Sequence, residues 1–126
     1  MRNSLISISL FIILLLSIFY LNNGFIKICN KAEISINEIE ELISNKEYDL
    51  AYEKSEELLS YIDENDRIPT IYLNHTDYDS VINECLKLCI YIEERDISEA
   101  VASLHLVKYS VTHLKDLQTV NLKNIF

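Results

Sequence analysis

Between Asn74 and Cys89 the sequence NHTDYDSVINECLKLC gathers His75, Asp77, Asp79, Glu84, Cys85 and Cys89. Imidazole and carboxylate groups bind divalent cations, and paired thiolates bind softer metals. The spacing breaks the group apart. Cys85 and Cys89 form C-x-x-x-C, which is not the C-x-x-C of a redox or zinc site, and their i,i+4 placement on a helix makes a mutual disulfide geometrically poor. They share a face with Val81, Leu88 and Ile92 and read as core, where free cysteine behaves as a small hydrophobe. Glu84 falls on the opposite side and reads as solvated surface. Thr76 reads as an N-cap that places Asp77 and Asp79 in a first turn, at the favourable end of the helix dipole. What is left is a weak divalent-cation site of His75, Asp77 and Asp79, beside the plainer role of a hydrogen bond at the helix start. His105 and His113 lie two helical turns apart and read as bundle edge, since a ligand pair on one helix is expected at i,i+4. No nucleophile with a nearby base and no Gly-rich phosphate cradle is readable, so neither a catalytic residue nor a cofactor is expected.

The elements that must position these residues are helices. Gly24 and Pro69 are the one glycine and one proline of 126 residues, too little punctuation for a hairpin-rich β architecture. Ile36, Ile39, Leu42 and Ile43 share one helical face, in a helix expected from about Ile34 with a capping box of Ser35 and Glu38. Tyr48, Ala51, Tyr52, Ser55, Leu58, Leu59 and Ile62 mark a second amphipathic helix, expected to end before Pro69. Tyr78, Val81, Cys85, Leu88 and Ile92 mark a third, and Ala100, Leu104, Val107, Val111 and Leu114 a fourth, both with alternating steps of 3 and 4. Asp96 and Glu99 give the fourth helix an Asp-x-x-Glu start. A shift of 49 residues lays Ile39, Ile43, Lys46, Glu47 and Ala51 on Leu88, Ile92, Arg95, Asp96 and Ala100. The expected fold is therefore all-α, an N-terminal transmembrane helix followed by two αα-hairpins in a small bundle. Residues 1–31 would be the anchor with its flanks, and 32–126 the bundle. The connector ENDRIPTIYLNH is apolar for a loop, so Ile68, Ile71, Tyr72 and Leu73 either pack across the bundle end or meet a partner.

Leu5 to Leu21 carries no charge over seventeen residues, about 26 Å as a helix against a hydrocarbon core of about 30 Å, and Phe25 and Ile26 can extend it. A cleaved signal peptide is the competing reading, but no A-x-A-like site follows Leu21, so a retained single-pass anchor in the cell membrane is expected. Lipoprotein processing at Cys29 fails because Lys27 and Ile28 precede it. Arg2 with the α-amino group balances Lys27 with Lys31, which leaves the positive-inside count tied. The export-like position and form of the segment point to a helical domain outside the cytoplasm. From Glu33 onward lie all twenty acidic residues and eight of the eleven basic ones, a net charge of −12. So acidic a domain would be repelled by nucleic acid and gains nothing from anionic lipid headgroups.

Three stretches, IYLNHTDYD (Ile71 to Asp79), ASLHLVKYSVTHLKDLQ (Ala102 to Gln118) and LKNIF (Leu122 to Phe126), resemble a family of small bacterial membrane proteins known as a domain of unknown function. The resemblance covers nearly the whole chain. It implies membrane attachment, a role for His75 and for the Asn124-Ile125-Phe126 terminus, and, as companion, a multi-span membrane protein of another uncharacterised group. It carries no substrate, cofactor or catalytic residue. The expected function is a membrane-tethered interaction module or accessory subunit. Its contacts with a membrane-protein partner would be Ile68, Ile71, Tyr72, Leu73, Ile125 and Phe126. The alternative is a divalent-cation-responsive sensor using His75, Asp77 and Asp79.

Overall fold

Apolar side chains at Phe25, Cys29, Ala32, Ile36, Ile39 and Ile43 follow one another at steps of 4 and 3, a heptad seam that keeps one face of a helix against its neighbours. The computed structural model describes residues 1–72 and 75–125, with side chains at all of these except 70–72, 75 and 119–125. In it the seam belongs to α1, a single helix of 43 residues, Arg2–Ser44. The start expected near Ile34 is therefore not a start: Ser35 and Glu38 lie mid-helix, because the seam already runs from Asn22 and nothing between the apolar segment and Ile36 breaks it. Phe25 is 2% exposed and lies in the core, so it does not extend the apolar span. The burial thus begins inside residues 1–31, the stretch expected to be anchor and flanks. Below Asn22 the helix stands alone, and its apolar window is long and apolar enough to cross a membrane, with none of it buried.

Four further helices follow: α2 (Tyr48–Glu64), α3 (Arg67–Tyr72), α4 (His75–Glu93) and α5 (Ile97–Ile125). The described residues are all-α. Helix α1 packs along α2 and α5, and α4 packs along the same two, so the four long helices form a ring of neighbours around one core. Lys115 pairs with Glu33 at 3.2 Å and Lys108 with Glu40 at 3.4 Å, so α5 runs antiparallel to α1. Arg95 at the end of α4 pairs with Asp49 at the start of α2, and Tyr78 at the start of α4 donates to the Ile62 carbonyl at the end of α2, which makes that pair antiparallel too. Half-exposed ion pairs contribute only fractions of a kcal/mol. The core supplies most of the stability, at about 1.5–3 kcal/mol for each fully buried Leu or Ile such as Ile36, Ile39, Leu88 and Ile92.

The doubled pattern extends to the backbone. At the end of α1 the amides of Asn45, Lys46 and Glu47 donate to the carbonyls of Glu41, Ile43 and Leu42, and Ala51 donates to Glu47. At the end of α4 the amides of Glu94, Arg95 and Asp96 donate to Ile90, Ile92 and Tyr91, and Ala100 donates to Asp96. Each bond of the second set lies 49 residues beyond its counterpart. Both are Schellman closures, which require a left-handed residue after the C-cap, and Lys46 and Arg95 both have φ of 60°. The buried faces agree as well. Ala32, Ile36, Ile39, Ile43, Ala51, Ser55, Leu58 and Ile62 have as counterparts Val81, Cys85, Leu88, Ile92, Ala100, Leu104, Val107 and Val111, all buried.

Two local expectations change. The connector after α2 contains helix α3, with Pro69 as its third residue, where a first turn needs no N–H donor. Helix α4 begins at His75, so Thr76 lies inside its first turn and is not the cap. Asp96 does accept the Glu99 amide, at 3.4 Å, as its Asp-x-x-Glu spacing requires.

Candidate functional site

Opposite the two Schellman turns is the end of the bundle from which α1 departs as the lone apolar segment. The antiparallel packing brings to this stem end the last turn of α2, the whole of α3, the first turns of α4 and the later turns of α5. The residues expected as cation ligands or partner contacts belong to these elements or to the chain beside them, whereas Glu84, Cys85, Cys89 and His105 lie nearer the Schellman end. Ile68 is half-buried on α3, and its Cδ1 lies 2.7 Å from where a Cβ on Gly24 would stand, so any side chain there would make the end of Ile68 shift. Leu73 and Phe126 lie outside the described residues, as do the side chains of Ile71, Tyr72, His75 and Ile125.

Asp77 and Asp79 are both exposed on α4. Two residues apart on a helix, their carboxylates point to different sides and do not converge on one ion. No group of three metal-binding side chains occurs among the described residues. The thiols are poor ligands as they stand. Burial, with the nearby charge of Glu33, pushes Cys29 up to about 12, and burial with Cys89 and Glu84 pushes Cys85 up to about 12. Cys89 is raised by burial as well. All three are therefore neutral, buried thiols that fill core positions. Glu84, expected on the solvated surface, is half-buried and pairs with Lys87 at 3.2 Å. His105 and His113 are exposed, and His113 stacks on Tyr109 with ring centroids 5.7 Å apart.

Where all five helices meet at the stem end there is a cavity of about 40 Å³, bounded by Phe25, Ile62, Pro69, Tyr78, Val81 and Val111 among others. It is a small, apolar-lined gap that opens at the surface, with room for little more than a water, so it is a packing gap and not a ligand chamber. Tyr78 closes its edge. Burial and the charges of Asp66 and Asp63 push the Tyr78 phenol up to about 12, so it remains a donor to the Ile62 carbonyl.

Two larger grooves open on the flanks. One, of about 530 Å³, runs between α1 and the end of α2, floored by Gly24 and Ile68. The other, of about 200 Å³, runs between α4 and α5. They are counterparts: Ile28, Lys31, Tyr61, Asn65 and Ile68 of the first correspond, 49 residues on, to Asp77, Ser80, Ser110, Leu114 and Leu117 of the second. The first groove carries Lys27 and Lys31, the second Asp77 and His113. Sequence reasoning treated the two lysines only as flanking charge, although Tyr20, Gly24, Lys27 and Lys31 step by 4, 3 and 4 along one face. The exposed apolar stripe of Leu106, Tyr109 and Leu117 on α5 was also missed, because its spacing overlaps that of the buried seam.

Residues 19–125 match the family described as domain of unknown function DUF4363, and the chain belongs to that family. Neither the curated proteins nor the solved structures contain a match to it.

Proposed function

We propose that this DUF4363 chain is a membrane-tethered, all-helical interaction module, an accessory subunit that binds a membrane-protein partner and performs no chemistry of its own. In this reading the family comprises small bacterial membrane proteins. Helix α1 crosses the cell membrane once through Leu5–Leu21 as an uncleaved signal-anchor, the bundle lies outside the cytoplasm, and the long helices form two αα-hairpins. The observation that carries the reading is the continuity of α1 from an unburied apolar segment into the core. With no break between them, the stem end of the bundle faces the bilayer, and so do α3 and the start of α4. A partner that contacts Ile68, Ile71 or Tyr72 would have to reach the membrane surface, as would one that contacts Ile125.

Crosslinking of the full-length protein in its native membrane, followed by pull-down and mass spectrometry, tests this. One abundant membrane protein is expected with the wild type. Replacing Ile71 and Leu73 by Ser should abolish its recovery while the far-ultraviolet circular dichroism keeps its helical form. Undiminished recovery with that variant would overturn the assignment of the contact surface, and recovery of the bait alone would overturn the accessory-subunit reading. The divalent-cation sensor of His75, Asp77 and Asp79 gains nothing from α4, where the two carboxylates diverge. Absence of calcium- or manganese-dependent heat in titration calorimetry would remove it.

A further inference from the structure

The groove between α1 and the end of α2 combines features that no other surface of the bundle shares among the described residues. Lys27 and Lys31 line it one helical turn apart, with the amides of Asn23 and Asn65 and the phenols of Tyr20 and Tyr61 as further hydrogen-bonding groups. Lys31 sits over the Tyr61 ring, its Nζ 4.5 Å from the centroid, which holds the ammonium at the groove without neutralising it. Neither lysine is ion-paired among the described residues, in a chain where acidic groups outnumber basic ones twenty to eleven. Glu33, two residues beyond Lys31, is engaged by Lys115 and Thr112 on the α5 side. Two uncompensated cations among polar donors make a seat for an anion.

Position along α1 says which anion. Tyr20 stands at the end of the apolar span, where aromatic side chains settle at the interface. Lys27 and Lys31 follow Leu21 by six and ten residues, about 9 and 15 Å along the helix. That is just above a headgroup layer of about 5–8 Å, towards which their long side chains reach back. The groove is thus continuous with the bilayer surface through its own helix. We infer that it binds the phosphate of an anionic lipid headgroup, with Lys27 and Lys31 as the charged contacts. The acidity of the domain as a whole does not oppose this, because charges beyond about 8 Å are largely screened at physiological ionic strength. The counterpart groove, with Asp77 and Ser80 where this one has Ile28 and Lys31, lacks the cations and serves as an internal control.

The inference rests on the anchored reading proposed above, and the test keeps the two apart. Full-length protein in a nonionic detergent is titrated with dioctanoyl phosphatidylglycerol, dioctanoyl phosphatidylcholine and inorganic phosphate, and heat is measured. Phosphatidylglycerol should bind saturably. Affinity should fall about fivefold with Lys27→Gln and about twenty-five-fold when Lys31→Gln is added, at about 1 kcal/mol per lysine. Ser80→Ala should leave it unchanged. Lys27 is exposed, so its variant alone carries the test if the double variant loses its helical signal. Equal heat from inorganic phosphate would overturn the lipid as source. Absence of heat with phosphatidylglycerol, or equal affinity in wild type and Lys27→Gln, would overturn the site. Flotation of wild type and variants with phosphatidylcholine vesicles reads the anchor separately, since its loss in the wild type would defeat the anchored reading and leave the titration to judge the groove.

Discussion

At the turn from α1 to α2 and at the turn from α4 to α5 the same backbone hydrogen bonds recur 49 residues apart, yet the grooves at the far ends of those helices differ in charge. Buried faces and turn closures agree between the halves because each half must solve the same problem, a right-sized apolar seam and a satisfied helix terminus. Groove linings are under no such constraint. Where the halves part company is therefore where function is to be sought: the first half carries the apolar stem and two lysines with no ion pair among the described residues, the second a groove with a single carboxylate, Asp77, and no lysine.

The strongest way to break this comparison is at the core. Ile39 and Leu88 are counterparts, both 0% exposed, so Ile39→Ala and Leu88→Ala should each cost about 2–5 kcal/mol in denaturant unfolding. A cost confined to one of them would show that the halves do not share a cooperative core. Next comes the stem end, where the halves differ by design of α3. Gly24→Val should destabilise by about 1–3 kcal/mol because its branches meet Ile68, and Ile68→Ala should restore much of the loss in a double-mutant cycle.

The turns give smaller and unequal effects. Lys46→Gly should stabilise by about 0.5–1 kcal/mol, since glycine adopts the left-handed conformation without a Cβ penalty. Arg95→Gly should gain less or lose, because Arg95 also donates to the Ile92 carbonyl and pairs with Asp49. Equal midpoint shifts would show that those side-chain contacts are idle. The thiols give the smallest effect near neutrality. A buried thiol at about 12, against 9.0 when unfolded, stabilises the fold fully below pH 9, and that stability is lost as pH rises from 9 toward 12. At pH 9 the loss is about 0.4 kcal/mol per thiol. Cys85→Val, which matches the aliphatic Ile36 of the other half, should flatten the alkaline limb of thermal stability measured from pH 8 to 10.

The seams of α2, α4 and α5 are legible in sequence because Leu58 and Ile62, Val81, Leu88 and Ile92, and Leu104, Val107 and Val111 mark most of their steps. The seam of α1 is not legible below Ile36, because Asn22, Cys29 and Ala32 are small or polar and do not announce a buried face. Helix α3 is hidden by Pro69, which reads as a terminator until its place in a first turn is known. The lysine groove is hidden for a different reason. Lys31 and Tyr61 are separated by a helix and a turn, and only the closure of that turn brings them together.

Helix α1 has one further property, which belongs to mechanics. It holds no proline, and its one glycine is braced by Ile68, so no joint separates the apolar segment from the core. From Leu21 to Ser44 it is a rod of about 35 Å. A tilt of about 10° at the stem would swing the turn end of the bundle by about 6 Å, with every packed helix carried along. The domain is built as a lever, and whatever turns its shaft moves its tip.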